Sequence, residues 1–405
     1  MKDWIRELAI EKEEIVHLRR YLHAHPELSG FETGTLAYIA SKLESTGIPY
    51  VEVEKGGILA FISGGLSEES SGRTVLLRAD MDALPIEENC HNLTGEKTVV
   101  SQRPGVAHMC GHDAHTAMLL GAASSLNRLK DRLAGNVILC FERAEETGGP
   151  DESYGREPLF AYLEKNKIAV DTVFAIHVRP SLASGRISAE DGGVFAGGFG
   201  FRIILHGSGG HGSRPDLAVS PLDCFTAFYQ SVQDIRMKEL DPFEPFTFSI
   251  PVVHMGDAPN VIPDTLQFEG TARSLDVVSL NRFKEAFYQR LDAVCGMYGC
   301  RSEIQLSYLS PPLINRREDA KLLRTAIMEE LGPEYYQACP PTMGSESFAH
   351  YTDSFGGALA FLGIANEKLG TGAPLHTPEF DIDEEALPLG TAAYVLFALK
   401  QLTVK

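Results

Sequence analysis

Apolar positions recur along this chain with two periods. Residues 3–24 set apolar side chains among charged ones at helical spacing, which predicts a helix ending at His23-Ala-His-Pro-Glu27, where Pro26 restrains the residue before it. A second amphipathic helix is expected from Thr33 to Glu44. Runs at Gly57–Ser63, Thr74–Arg78, Gly135–Phe141, Thr172–Ile176 and Ala358–Leu362 are apolar and short, as buried strands are. Thr116–Ala123 is small and apolar and reads as a helix packed into a core. Between Gly198 and about Ser310 the pattern changes. Strands at Phe199–His206, Phe246–Val253, Thr265–Arg273 and Glu303–Tyr308 and helices at Ser220–Lys238 and Leu280–Tyr298 follow in the order β-α-β-β-α-β, that of a ferredoxin-like domain. The expected fold is therefore α/β: a mixed, mainly parallel sheet flanked by helices, built from residues 1–190 and 309–405 and interrupted by a ferredoxin-like α+β domain at 191–308.

Length and charge narrow the function. A chain of 405 residues suits two domains. A formal net charge of −19 argues against nucleic acid or an anionic membrane surface as a partner, because no basic stripe supplies the counterion-release term. No apolar run is long enough to span a bilayer. Met1–Glu14 is charged throughout and lacks a signal peptide's apolar segment, so a cytoplasmic location is expected. The seven cysteines are scattered and odd in number, and in a reducing compartment most are small core residues.

Cys110 is the exception. Val106-Ala-His-Met-Cys-Gly-His-Asp-Ala-His115 places it among three histidines and an aspartate at a helix start, where backbone N–H groups favour a thiolate. Cys110 and His112 flank a glycine and can both hold metal, but a site needs three or four ligands. The other candidates are Asp80 and Asp82, Glu145 and Glu146, His177 and His376. Each pair or residue alone reads as an acidic turn or a surface histidine. All of them, however, fall at or beyond the carboxyl ends of apolar strands, the edge at which open α/β sheets bind ligands. Adjacent Glu145 and Glu146 are expected to leave a strand toward opposite sides, so that one binds metal and the other stays free as a base. His23 and His25 read as helix-end or supporting groups.

These residues carry a resemblance. His25-Pro-Glu-Leu-Ser29, Arg78-Ala-Asp-Met-Asp-Ala-Leu-Pro85, Met109-Cys-Gly-His-Asp-Ala-His115, Ala144-Glu-Glu146, Gly209-Gly-His-Gly-Ser213, Asn260-Val-Ile-Pro-Asp264, Gly270-Thr-Ala-Arg273 and Leu375-His-Thr-Pro-Glu-Phe-Asp381 resemble, in order, the metal-dependent amidohydrolases that include hippurate hydrolase, N-acyl-amino-acid amidohydrolases and auxin-conjugate hydrolases, a branch of the two-metal exopeptidases. The resemblance implies two divalent ions, zinc or manganese with nickel or cobalt as options, held by Cys110, His112, Glu146, His177 and His376, with Cys110 as the candidate shared ligand. It implies Glu145 as general base, and Asp82 and Asp113 as groups that hold ligand histidines. It makes the inserted domain a lid through which a homodimer or higher homo-oligomer forms, with His211 reaching into the partner subunit's site and Asn260 and Arg273 near the substrate carboxylate. The implied reaction is hydrolysis of N-acyl amino acids. The rivals are an exo-acting dipeptidase or aminopeptidase and a metal-binding protein without catalysis. The chain departs from the family's usual wording at Glu142-Arg143, at Arg214 and at a longer, polar Gly149–Pro158 segment. Charge at the first two positions leads to the expectation of a polar or charged acyl group.

Overall fold

In the computed structural model, residues 12–66, 72–149 and 153–402 are described, and they divide into two units. The first comprises the chain up to Gly192 together with Asn315–Cys339 and Ser354–Lys405; the second comprises Gly193–Ile314 and Pro340–Asp353. Residues 1–11, the start of the first expected helix, and residues 150–152 of the polar segment lie outside the described residues.

The first unit opens with helices α1 (Lys12–Ala24) and α2 (Thr33–Ser45). Its strands are β1 (Tyr50–Val53), β2 (Gly57–Ser63), β3 (Thr74–Asp80), β4 (Asn136–Glu142), β5 (Thr172–Ala183) and β6 (Ile187–Ser188), with α3 (His112–Arg128) and α4 (Arg156–Lys165) between them. Every residue of β3 is buried, as is all of β4 after Asn136. A strand covered on both faces has no reason to alternate, which is why these segments read as continuous apolar runs.

The second unit follows. Strands β7 (Gly197–His206), β8 (Gly210–His211), β9 (Phe246–His254), β10 (Val261–Ile262), β11 (Thr265–Ser274) and β12 (Arg301–Ser310) come with helices α5 (Pro221–Lys238) and α6 (Val277–Tyr298). The long strands form an antiparallel sheet in the order β9-β11-β7-β12, the ferredoxin-like arrangement expected from the pattern. Phenylalanines 199, 201, 228, 268, 283 and 287 join this sheet to its two helices, with the rings of Phe201 and Phe287 4.5 Å apart. Strands β8 and β10 pair as a small ribbon that sets His211 opposite Val261.

The chain then returns to the first unit with α7 (Arg317–Ala326), strand β13 (Gly357–Ala365) and α8 (Leu387–Leu402). The seven-stranded sheet runs β1-β2-β4-β3-β5-β13-β6. Its middle four strands are parallel, so all four carboxyl ends open on one edge. Strand β5 continues well past the expected end at His177, because Val178, Arg179 and Ala183 go on pairing with β13 across a bulge.

Under α3 lies a buried polar chain that the periodicity conceals. Arg19 Nε donates to Asp113 Oδ2 at 2.8 Å; His23 meets the same oxygen through Nδ1 at 2.8 Å and Glu88 Oε1 through Nε2 at 3.0 Å. Lys97 Nζ adds 2.9 Å to that Glu88 oxygen. Burial and Arg19 pull the His23 imidazole down, but the two carboxylates prevail and hold it above its ordinary value. Burial pushes Glu88 up, yet His23, the Ser101 N–H and Lys97 bring its carboxyl down to about 2. A carboxyl whose folded value lies below its ordinary 4.5 contributes stability in full above that value and loses it as pH falls toward about 2. Glu88→Gln is therefore expected to melt below the wild type at neutral pH, with the gap closing across that acid window. Thermal melts at stepped pH check this; a gap independent of pH contradicts it.

Candidate active site

At the carboxyl edge of the parallel strands, three loops and one helix start converge. Cys110 and Gly111 lead into α3, whose first residue is His112. Gly111 sits at φ 88°, and a Cβ there would lie 2.4 Å from Val178 Cγ2, so only glycine lets the helix start press against β5. Backbone strain marks the other two loops. Ala144 has φ 53° and His376 φ 62°, left-handed values that non-glycine residues rarely adopt. The first turns the chain after β4 and presents Glu145 and Glu146; the second aims His376, whose own N–H donates to Met109 O at 2.8 Å.

The side chains meet. Donor atoms of Cys110, His112 and His177 lie within 4.8 Å of one another, as do those of Cys110, Glu146 and His376, and those of His112, Glu145 and Glu146. Cys110 Sγ is 3.6 Å from His177 Nε2, Glu146 Oε1 is 3.2 Å from His376 Nε2 and 3.8 Å from His112 Nε2. All five ligands implied by the resemblance, and the implied base, thus share one place in the first unit.

The imidazoles are oriented for coordination. His177 Nδ1 donates to Val178 O at 2.7 Å, which leaves a lone pair on the Nε2 facing Cys110. Burial pulls this ring well below its ordinary value, so it is neutral. His112 Nδ1 meets Asp82 Oδ1 at 3.0 Å, and its Nε2, buried, has no hydrogen-bond partner among the described residues. Burial opposes charge on His112, but Asp80, Cys110 and Asp82 hold it well above its ordinary value. Burial likewise pushes the Cys110 thiol well up, against the pull of His112. The helix start alone does not make a thiolate here. A buried orphan nitrogen, a buried thiol and two carboxylates beside three imidazoles form a donor set that fits divalent cations, which would displace the protons from His112 and Cys110.

Asp82 is the organiser. Besides His112 it accepts from Ser29 Oγ at 2.7 Å and from the Glu146 N–H at 3.0 Å, so one carboxylate orients the His112 ring and pins the acidic turn. A second relay was not anticipated from sequence. Arg78 Nη1 donates to Asp80 at 2.6 Å, Asp80 Oδ1 meets His115 Nδ1 at 2.6 Å, and His115 Nε2 accepts the Val178 N–H at 3.0 Å. Both nitrogens of His115 are thereby used, so it supports the β5 segment carrying His177, and its donor atom also lies within 4.8 Å of those of Asp80 and His112. The signal was present: His115 is one helical turn from His112, and Asp80 stands with Asp82 at the carboxyl end of the β3 run.

Three expectations need correction. Glu145 and Glu146 do not leave a strand toward opposite sides: they sit on a turn past β4, and both reach His112. Asp113 holds no ligand histidine. One residue beyond His112 on the helix, it is rotated toward α1 and holds Arg19 and His23. Glu142 and Arg143 bring no charge to a cleft. Glu142 accepts from buried Arg78 at 2.7 Å, and Arg143 pairs with Glu32 at 2.8 Å and packs over the Tyr154 ring. Arg214 is bonded to Asp216, its exposed neighbour, at 2.7 Å.

In the second unit, His211 and Asn260 are neighbours, since the Gly212 N–H donates to Asn260 O at 2.8 Å. The Ser213 N–H donates to His211 Nδ1 at 3.1 Å, so Nε2 carries the proton and points out as a donor from an exposed ring. Arg273 lies apart from them. It pairs with Gly198, whereas Thr265, next to the ribbon, pairs with His206 at the other end of the sheet. Its guanidinium bonds the Ser345 hydroxyl.

Comparison with known proteins agrees with this geometry. Residues 76–400 match the model of the Peptidase family M20/M25/M40. The chain is 36% identical over 405 residues to thermostable carboxypeptidase 1 of Saccharolobus solfataricus, covering 99% of this chain and 98% of that protein. It is 31% identical to an IAA-amino acid hydrolase of Arabidopsis thaliana (96% and 86% covered) and 31% identical to the N-acetyl-L-cysteine deacetylase of Bacillus subtilis (96% and 88%). Among solved structures it is similar to a putative aminohydrolase from methicillin-resistant Staphylococcus aureus (TM-score 0.89, 30% identity, both chains covered in full). It is also similar to a dinuclear metal binding peptidase from Bacillus subtilis (TM-score 0.81, 26% identity, 98% and 100% covered). With a donor set fit for divalent metal at the sheet edge and a family match across most of its length, the chain belongs to the Peptidase family M20/M25/M40 and is a metal-dependent hydrolase of amide or peptide bonds.

Proposed function

We propose that the chain hydrolyses the amide bond of N-acyl amino acids, releasing a carboxylic acid and an amino acid, with two divalent ions held by Cys110, His112, Glu146, His177 and His376. The observation that carries this reading is the convergence of those five donors with one further carboxylate, Glu145, beside them. The relatives support the substrate class. A carboxypeptidase, an IAA-amino acid hydrolase and an N-acetyl-L-cysteine deacetylase by name share one linkage, an acyl group amide-bonded to an amino acid. When bound, the ions polarise the scissile carbonyl and acidify the attacking water. Glu145 takes the proton from that water and passes it to the leaving amine. Zinc suits the thiolate and imidazoles, and manganese suits the carboxylates. The buried, internally paired Glu142 and Arg143 remove two of the three charges behind the expectation of a polar acyl group.

We further assign His211 and Asn260 to the site of a second copy of the chain, and Arg273 to the substrate carboxylate. Eight strand positions along β11 separate Arg273 from Thr265, about 26 Å at strand spacing. One small substrate cannot touch both Arg273 and the His211 ribbon of the same chain. The Nε2–H of His211 suits an oxyanion donor. His211→Ala is expected to lower kcat by about 10²–10³-fold with metal content unchanged. Mixed oligomers with a Glu145→Gln chain should regain part of the activity; no regain would place His211 in its own chain's site. The cytoplasm remains the proposed location, and no helix among the described residues is long and apolar enough to cross a membrane.

The test of the substrate reading is a panel of N-acyl amino acids, N-blocked peptides and free-amine dipeptides, run with zinc, manganese, nickel and cobalt. Preference for the N-acylated substrates is expected. Preference for free-amine dipeptides would instead make the chain a dipeptidase or aminopeptidase.

A further inference from the structure

The second unit gathers three thiols far along the chain from Cys110. Cys224 lies in the first turn of α5 and Cys295 in the last turn of α6, both buried, with Sγ atoms 3.9 Å apart. Cys300 follows immediately beyond the end of α6. Gly299 turns the chain there at φ 73°, and the Cys300 N–H donates to Cys295 O at 2.9 Å. The Cys300 side chain packs on the same apolar cluster and bonds Cys224, but it is only half-buried. Cys224 therefore faces two thiols, one buried in the core and one half-buried.

The reactions discussed above use none of these three residues. Neighbouring sulfurs in van der Waals contact need only side-chain rotation and a small helix shift to reach bonding distance, about 2.05 Å. We propose that Cys224, Cys295 and Cys300 form a reversible disulfide site in which Cys300 admits the oxidant and a Cys224–Cys295 bond, tying α5 to α6, is the resting oxidised form.

The chemistry balances with a small-molecule disulfide as oxidant. The Cys300 thiolate, its proton lost to water, attacks the small disulfide, forms a mixed disulfide and expels one small thiolate. The Cys224 thiol then attacks the Cys300 sulfur as its proton passes to the departing small thiolate, making the Cys224–Cys300 bond. The Cys295 thiol attacks the Cys224 sulfur, and its proton passes to the Cys300 sulfur that is released. Two protein thiols are oxidised by two electrons, and one small disulfide is reduced to two thiols. The 3.9 Å between the Cys224 and Cys295 sulfurs places Cys295 for this last attack. The final bond is sealed in the core, away from small reductants, whereas the Cys224–Cys300 bond lies nearer solvent.

The experiment equilibrates the metal-loaded full chain in glutathione buffers of stepped redox ratio, quenches it by alkylation under denaturing conditions, and maps the peptides by mass spectrometry. A Cys224–Cys295 cross-link is expected, with a rise in Tm on oxidation. In Cys300→Ser the same cross-link should form at least tenfold more slowly, and in Cys295→Ser the bond should fall between Cys224 and Cys300. Wild-type protein alone decides the matter if a variant fails to fold. Full alkylation of Cys224 and Cys295 at every ratio, or a glutathione adduct that stays on Cys300 without resolving, overturns the proposal.

Discussion

Glu145→Gln is expected to bind metal like the wild type and to turn over at least 10²–10⁴-fold more slowly. The reason is local. Of the two adjacent carboxylates, Glu146 carries the contacts to His376 at 3.2 Å and to His112 at 3.8 Å, and its N–H is pinned by Asp82 at 3.0 Å. Glu145 shares the turn and reaches the same space, yet the donor set around Cys110 and His376 is formed without it. Glutamine keeps its shape and cannot accept a proton, so the attacking water keeps its own and the amine leaves unprotonated. The loss should fall on kcat with little change in KM. The neighbouring Glu146→Gln change should instead lower metal content. Steady-state kinetics beside elemental analysis separates the two. Turnover within tenfold of wild type in Glu145→Gln would remove this residue as the base.

The second large effect is expected at Cys110. Cys110→Ser replaces a thiol that can become a thiolate with a hydroxyl that stays protonated, and metal content after dialysis should fall, taking activity with it. The pH dependence has a definite sign. Burial holds the Cys110 thiol well above its ordinary value, and Asp80 and Asp82 keep His112 protonated, so cations bind by displacing protons. Wild-type affinity should therefore weaken as pH falls. In Cys110→Ser that dependence should be shallower, since one displaced proton is gone. Retained metal and activity in Cys110→Ser would make Cys110 a core thiol only.

Much of this was legible because burial writes itself into composition. The β3 and β4 runs are apolar without alternation because both faces of the sheet are covered, and that fixed which sheet edge Asp82, Glu146 and His376 share. The ferredoxin-like unit was legible from alternation in strands such as β9, where one face is covered and one is open. What stayed hidden depends on side-chain direction. That Asp113 turns to Arg19 while His112 turns to the metal donors is a rotation of about 100° on a helix, which residue type does not reveal. The turn at Ala144, with φ 53°, could not be foreseen because nothing marks an alanine for a left-handed conformation. Glu142 and Arg143 looked like cleft charges because their partners, Arg78 and Glu32, lie 64 and 111 residues away.

The whole account rests on ions held by five side chains from four separate segments, with water as the other reactant. The most direct measurement strips the purified chain with a chelator, counts bound metal by elemental analysis during stepwise return of zinc or manganese, and follows hydrolysis of an N-acyl amino acid at each step. Activity should be absent in the stripped chain and should rise with loading until two ions are bound per chain. Undiminished hydrolysis by metal-free protein, or full loading with metal in a chain lacking His112, Glu146 and His376, would contradict it.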